Sequence, residues 1–238
     1  MIPLRDDIPA RRAPIVTWAL IAVNVLVFLY QVQLPEAQME QLVLLRGLVP
    51  ARYSHPEWAA GVGFPQDAYL SFFTSMFLHG GWLHLIANMW SLWIFGDNVE
   101  DRMGRLRFLV FYVLCGLAAG ALHWFTNLDS LIPTIGASGA IAGVLGAYLV
   151  LFPRARVLTL VPIFFIPLFF ELPAVTFLFV WFALQLFQAW SGLGGMEGGG
   201  GGVAWWAHIG GFGAGILLHW LFVTRQPPLR WVGGRYAG

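Results

Sequence analysis

Charge is scarce in this chain, and lysine is missing from it altogether. Asp, Glu, Lys and Arg make up 11% of the 238 residues, against roughly 25% in a soluble domain, so a soluble globular fold is excluded. The 13 basic residues are all arginine and leave a net charge of +1. Without a clustered basic face, nucleic acid is excluded as a partner. The one cysteine, Cys115, sits in an apolar run; it excludes an intramolecular disulfide and a cysteine ligand set for zinc, and is read as a small packing residue. Internal repeats are absent, and the chain reads as one domain. What is present in quantity is apolar: 58% of the residues are hydrophobic, in runs that make this an integral membrane protein.

A spanning helix takes ~20 mostly apolar residues, and six stretches qualify: 14–32, 76–95, 106–126, 137–153, 172–190 and 203–223. The predicted fold is all-α, a six-helix membrane domain over 14–224 between terminal tails at 1–13 and 225–238. Six crossings put both termini on one side. Arg5, Arg11 and Arg12, Arg102, Arg105 and Arg107, Arg154 and Arg156, and Arg225, Arg230 and Arg235 share that side, whereas only Arg46 and Arg52 fall on the other. The positive-inside rule makes the termini cytoplasmic. The first run, about 19 residues with Trp18 and Asn24 and no small-x-small site after it, reads as a retained span rather than a signal peptide.

Three connecting segments carry their own expectations. Residues 33–72 form a long outer loop whose apolar and aromatic content suggests that it packs on or dips into the outer leaflet. Val157 to Glu171 is interrupted by Pro162 and Pro167, with Pro173 just beyond, and ends in a carboxylate that is expensive at mid-membrane depth; it reads as a cytoplasmic or interfacial loop. Ser191 to Gly202, with eight glycines in twelve residues, reads as a flexible link, either a plain linker or a gate for substrate.

Polar side chains on apolar segments are functional candidates by default, and this topology gathers several in one leaflet. The second, fourth and sixth spans all run from outside to inside, so His79, His84 and Asn88, then Ser138, then His208 lie toward the outer ends of their helices. At 1.5 Å per residue His208 sits roughly 8 Å below the surface, in a recessed site that water enters from outside. Gly139 and Gly143 on one span and Gly211 and Gly215 on another repeat every fourth residue, a pattern that lets membrane helices approach closely. That approach brings His208 to Ser138 as the base that a weak nucleophile needs. Gly136 permits an unusual turn before the serine, and the helix start offers free amides to an oxyanion. His84 and Asn88, at i and i+4, share a face and serve as further oxyanion donors. His79 and His84, five apart, do not share a face as a metal-binding pair would, so no metal or cofactor is expected. Asp129 and Glu197 lie in outer loops. No acid is therefore available in the apolar core, and a Ser-His dyad is expected rather than a triad.

Together these residues resemble the rhomboid family of intramembrane serine proteases, in its bacterial, basic six-helix form. The likeness runs from about Ile15 to Leu221. It rests on His79, His84 and Asn88, on Gly96 with Glu100 and Gly104, on Gly136-x-Ser138-Gly139, and on Ala207-His208-x-x-Gly211-x-x-x-Gly215. The resemblance implies Ser138 as nucleophile, His208 as base, and His84, Asn88 and the Ser138 amide as oxyanion donors, with His79 supporting and Glu100 a structural contact at the cytoplasmic end of the second helix. It also implies single-span membrane proteins as substrates, cleaved near their outer ends, and a bacterial plasma membrane as the location. Two departures stand out. Leu70-Ser71 replaces a Trp-Arg pair that some members carry in the first loop, and Ala142 replaces an aromatic residue that can stack on the histidine, so other contacts must orient His208. The competing readings are a non-catalytic rhomboid-like protein that binds membrane clients, and a transporter, whose ionisable residues along the bundle and related halves are missing.

Overall fold

The computed structural model describes residues 1–65, 69–163, 166–191 and 204–224, together with the backbone of 230–232 and 235–237. A short strand, β1 (Ile2–Asp6), precedes α1 (Ile15–Gln31). The first loop holds α2 (Glu36–Arg46), α3 (Pro50–Ser54), α4 (Pro56–Gly61), α5 (Leu70–Thr74) and a 3-10 turn at Ser75–Phe77. There follow α6 (Trp82–Met103), α7 (Arg105–Thr126), α8 (Ser138–Leu151), the strands β2 (Arg156–Ile163) and β3 (Ile166–Pro173), α9 (Ala174–Ser191), α10 (Trp205–Phe222), and two short paired strands, β4 (Arg230–Val232) and β5 (Arg235–Ala237). Among the described residues α7 and α9 are long and apolar enough to cross a membrane, and α1 and α8 are shorter apolar helices. Large apolar side chains such as Leu26, Leu83, Leu106, Phe179, Leu217 and Trp220 face outward, which water would penalise and lipid would not.

The core is organised around α8. Every residue from Gly139 to Tyr148 is buried, because its small residues lie on all sides and let the surrounding helices close in. A Cβ on Gly211 would stand 1.9 Å from the Gly139 carbonyl oxygen, and one on Gly215 would stand 2.0 Å from that of Gly143, so α8 and α10 touch backbone to backbone. On the opposite flank a Cβ on Gly143 would stand 2.3 Å from Cys115 Cβ of α7. Cys115 is fully buried, as a packing residue should be.

The helical architecture differs from the all-α expectation in defined places. Val157 to Glu171 is not a loop: β2 and β3 form an antiparallel hairpin in register from Arg156–Pro173 to Ile163–Ile166, and β1 pairs along β2. Pro167 and Pro173 lie on the edge strand β3, and Pro162 lies on β2 beyond the 157–160 stretch that pairs with β1, positions where a proline is tolerated in a sheet; Glu171 stays exposed beside Arg156 at 3.4 Å. Residues 1–13 are accordingly not a simple tail. The helix at the place of the expected second span also shifts. It begins at Trp82 rather than near residue 76 and continues to Met103, so His79 precedes the helix. Hydropathy ends this span too early because Asn98 and Glu100 look exposed by type but are buried and paired. Arg52 is likewise buried, under the first loop, where it donates to Leu45 O and Pro65 O and lies over Phe64. Tyr53 bonds Ser71 and Trp124 Nε1 bonds Ser54 Oγ at 2.9 Å, so the loop is fastened to α7 without the Trp-Arg pair. The remaining helix bounds lie within two residues of the predicted ones. Of the flexible link expected from Ser191 to Gly202, Ser191 ends α9 and the rest lies outside the described residues.

One end of the bundle is tied together by carboxylates. Glu100 accepts hydrogen bonds from the Val16 and Thr17 amides and the Thr17 hydroxyl at 2.8–3.0 Å, satisfying free amides at the start of α1. Asp6 accepts from Tyr148 Oη at 2.5 Å and Asn98 Nδ2 at 2.8 Å, pinning β1 across α6 and α8. Thr224 donates through its amide and hydroxyl to Arg102 O. The C-terminal ends of α6, α8 and α10 therefore meet here, and their N-terminal ends meet at the other side of the molecule. Burial, opposed by the Tyr148 bond and reinforced by Asp97, pushes the Asp6 carboxyl up from 3.8 to about 7. Between those values the folded protein keeps a proton that the unfolded chain has released, so this group's contribution to stability falls as pH rises through the window. Asp6→Asn is expected to flatten that part of a curve of melting temperature against pH. Parallel curves for wild type and variant would show that another group titrates.

Candidate active site

At the end opposite Asp6 the three N-terminal helix ends surround a cavity of about 1250 Å³ lined by Ser138, His208, His84, Asn88, Gly136 and Trp181 among others. Gly136 has φ +129°, a conformation that glycine adopts readily, and its amide donates to Ser75 O at 2.9 Å. This turn sets Ser138 as the first residue of α8. His208 lies one turn into α10, and the glycine contact between α8 and α10 brings its Nε2 to 2.8 Å from Ser138 Oγ.

His84 and Asn88 stand in the first two turns of α6 on the same side of the cavity. The Gly80 amide donates to His84 Nδ1 at 3.3 Å, which places the proton of a neutral ring on Nε2. That nitrogen would lie 2.7 Å from a Cβ on Gly136, so glycine also leaves it room beside the serine turn. Asn88 Nδ2 donates to His84 O at 2.9 Å, and its second N–H has no partner among the described residues. His79 is fully buried, outside α6, with its ring edge-on to His84 at 5.1 Å. Glu100 is remote from the cavity, at the far end of α6.

Several residues around the site escape a reading of the sequence. Gln185 Oε1 of α9 lies 2.6 Å from His208 Nδ1, so the ring has a second polar neighbour besides Ser138, and three residues are linked where only a dyad was expected. Trp181 flanks the ring at 6.0 Å with planes 32° apart, and Trp205 meets it edge-on at 5.9 Å; these supply the aromatic contacts that Ala142 does not. Gln31 clamps the backbone of His79, accepting from its amide at 3.0 Å and donating to its carbonyl at 3.2 Å. His123 Nε2 bonds Thr134 Oγ1 at 2.7 Å, and Thr134 bridges to Leu48, holding the approach to Gly136. The available signal was an amide on an otherwise apolar helix. Which partner it met depended on packing.

A serine hydroxyl bonded to a buried imidazole, beside a helix start and within a recessed cavity, is the arrangement that nucleophilic serine chemistry requires. Comparison with known proteins gives the lineage: the Rhomboid domain family matches residues 66–225, more than half of the sequence, and the chain belongs to the rhomboid family, a family of membrane proteins. It is similar to "Rhomboid protein 1, mitochondrial" of Saccharomyces cerevisiae, 33% identical over 156 residues, covering 63% of this chain and 41% of that protein. It is 42% identical over 74 residues to "RHOMBOID-like protein 5" of Arabidopsis thaliana, covering 31% and 24%. With "Rhomboid-like protease 5" of Toxoplasma gondii it shares 31% over 163 residues, covering 66% and 17%. The chain thus spans less than half the length of each of these relatives.

Proposed function

We propose that this protein is an intramembrane serine endopeptidase that cleaves single-span membrane proteins near their extracytoplasmic ends, with Ser138 as nucleophile and His208 as base. The observation that carries this reading is the 2.8 Å contact between Ser138 Oγ and His208 Nε2 at the start of a helix inside an apolar bundle. Six helices cross the membrane, both termini are cytoplasmic as the arginines indicate, and the location is a bacterial plasma membrane.

As Ser138 Oγ attacks the scissile carbonyl carbon, its proton passes to His208 Nε2. The carbonyl oxygen becomes an oxyanion held by the Ser138 amide, His84 Nε2–H and the free N–H of Asn88. Collapse of the intermediate breaks the C–N bond, and the amine departs with the proton from His208. A water molecule, deprotonated by the same imidazole, then releases the acyl product and restores the serine. His79 supports His84. Gly136 and Gly139 shape the serine turn, Gly211 and Gly215 hold α10 against α8, and Glu100 fixes the opposite end of α6 to α1. A substrate span must unwind locally before its peptide bond reaches the serine, so helix-weakening residues in the client should favour cleavage.

The test is reconstitution. Purified protein in liposomes should cut a model single-span substrate within or beside its span, react with a fluorophosphonate probe, and lose both activities in His208→Ala. A well-folded wild-type protein that binds the client span without cutting it or reacting with the probe would favour the non-catalytic client-binding reading instead.

A further inference from the structure

A neutral histidine acts as a base toward serine only in the tautomer that turns a bare nitrogen to the hydroxyl. In a serine triad an acid makes that choice. Among the described residues the ring nitrogens of His208 bond only Ser138 Oγ and Gln185 Oε1.

Gln185 is buried on α9, and its own helix sets the direction of its amide. Gln185 Nε2 donates to Trp181 O, one turn earlier, at 3.2 Å. Reversing the amide would set two acceptors, Oε1 and the Trp181 carbonyl, against each other. The oxygen therefore faces His208 Nδ1, at 2.6 Å. Two bare lone pairs at that distance would repel, so Nδ1 carries the proton. A neutral ring has one N–H, which leaves Nε2 unprotonated toward Ser138.

We infer that Gln185 is the positioning residue of the Ser138–His208 pair, holding the imidazole in its basic tautomer where a triad would use a carboxylate. The inference rests on the reading of those two residues as nucleophile and base. An amide suits this setting because it orients the ring without placing a charge in an apolar interior. It also ties the geometry of the base to α9, a helix that bears neither the serine nor the histidine. Its expected contribution is smaller than an acid's. Losing a neutral hydrogen bond is worth about a factor of ten, and freedom of the ring to turn adds to this, so a loss of about 10- to 100-fold is expected, well short of the ~10⁴-fold seen when the acid of a triad is neutralised.

The experiment compares Gln185→Met, close in shape but lacking the acceptor, with Gln185→Glu, which offers an acceptor oxygen whether ionised or protonated. Gln185→Met should lower kcat on a single-span substrate in liposomes and slow fluorophosphonate labelling about 10- to 100-fold, with KM and melting temperature near wild type. Gln185→Glu should recover most of the rate. ¹⁵N NMR of the histidine rings, with the His208 signal assigned from the spectrum of His208→Ala, should show protonated Nδ1 in wild type and a mixture in Gln185→Met. A Gln185→Met protein with wild-type kcat, or with Nδ1 still fully protonated, overturns the inference. So does a Gln185→Glu protein as slow as Gln185→Met, and should Gln185→Met not fold, Gln185→Glu decides by itself: near-wild-type turnover supports the role, and a loss like that expected of Met overturns it. A wild-type protein inert to substrate and probe would overturn the protease reading, whereas the tautomer measurement would still judge Gln185.

Discussion

Replacing Ser138 by alanine is expected to abolish proteolysis while leaving the protein folded. Removing the nucleophile of a serine protease costs on the order of 10⁶ in kcat, and among the described residues no other hydroxyl bonds His208. The structural cost should be small. The Ser138 side chain contributes a single described hydrogen bond, to His208 Nε2, worth about 1 kcal/mol. For a chain of this size that is ~2–4 °C of melting temperature. The check is cleavage of a single-span substrate in liposomes beside a thermal melt of the same preparation. Cleavage above background by Ser138→Ala would remove Ser138 from the mechanism, and a collapse in melting temperature would leave any activity loss without a chemical meaning.

Gly215→Val should damage both stability and chemistry through distance alone. A Cβ at 215 would stand 2.0 Å from the Gly143 carbonyl oxygen and 2.8 Å from Gly143 Cα, where ordinary contact begins at 3.4 Å. Both neighbours are backbone and cannot rotate away, so α10 must move off α8. Overpacking of this kind costs about 1–3 kcal/mol or more, roughly 2–12 °C at ~2–4 °C per kcal/mol. The same movement stretches the 2.8 Å contact between His208 and Ser138, and a 1 Å misplacement in a reacting pair costs ~10²-fold. Gly213→Ala is the control, since a Cβ there meets nothing within 4 Å; it should leave melting temperature and labelling close to wild type. If Gly215→Val labels and melts as wild type does, close packing of α8 and α10 is not what holds the pair together.

Much of the candidate site was legible in the sequence because it is written as departures from apolarity. Ser138, His208, His84 and Asn88 are polar groups on hydrophobic segments, and glycines repeating every fourth residue mark where two such segments touch. The parity of the apolar runs then set the four side chains at one depth. Gln185 was no less visible as a polar residue, but nothing in its spacing said which ring it would meet. That depended on the rotation of α9 against α10, which no local pattern encodes. The same limit explains the missed end of α6. Asn98 and Glu100 look like residues outside a hydrophobic span, and only the arrival of Asp6 and of the α1 amides makes their burial favourable.

The sequence by itself determined that the chain folds around apolar helices, roughly where those helices lie, and which side chains stand out chemically within them, because burial type, helical period and glycine spacing are local properties. Tertiary structure alone decided the sheet formed by the N-terminus and the 156–173 hairpin, since β1 and β2 are separated by some 150 residues and neither strand announces the other. It alone also decided that His208 has Gln185 behind it. A hydrogen bond between residues on different helices depends on how those helices are turned against each other, and that rotation is set by the packing of the whole bundle.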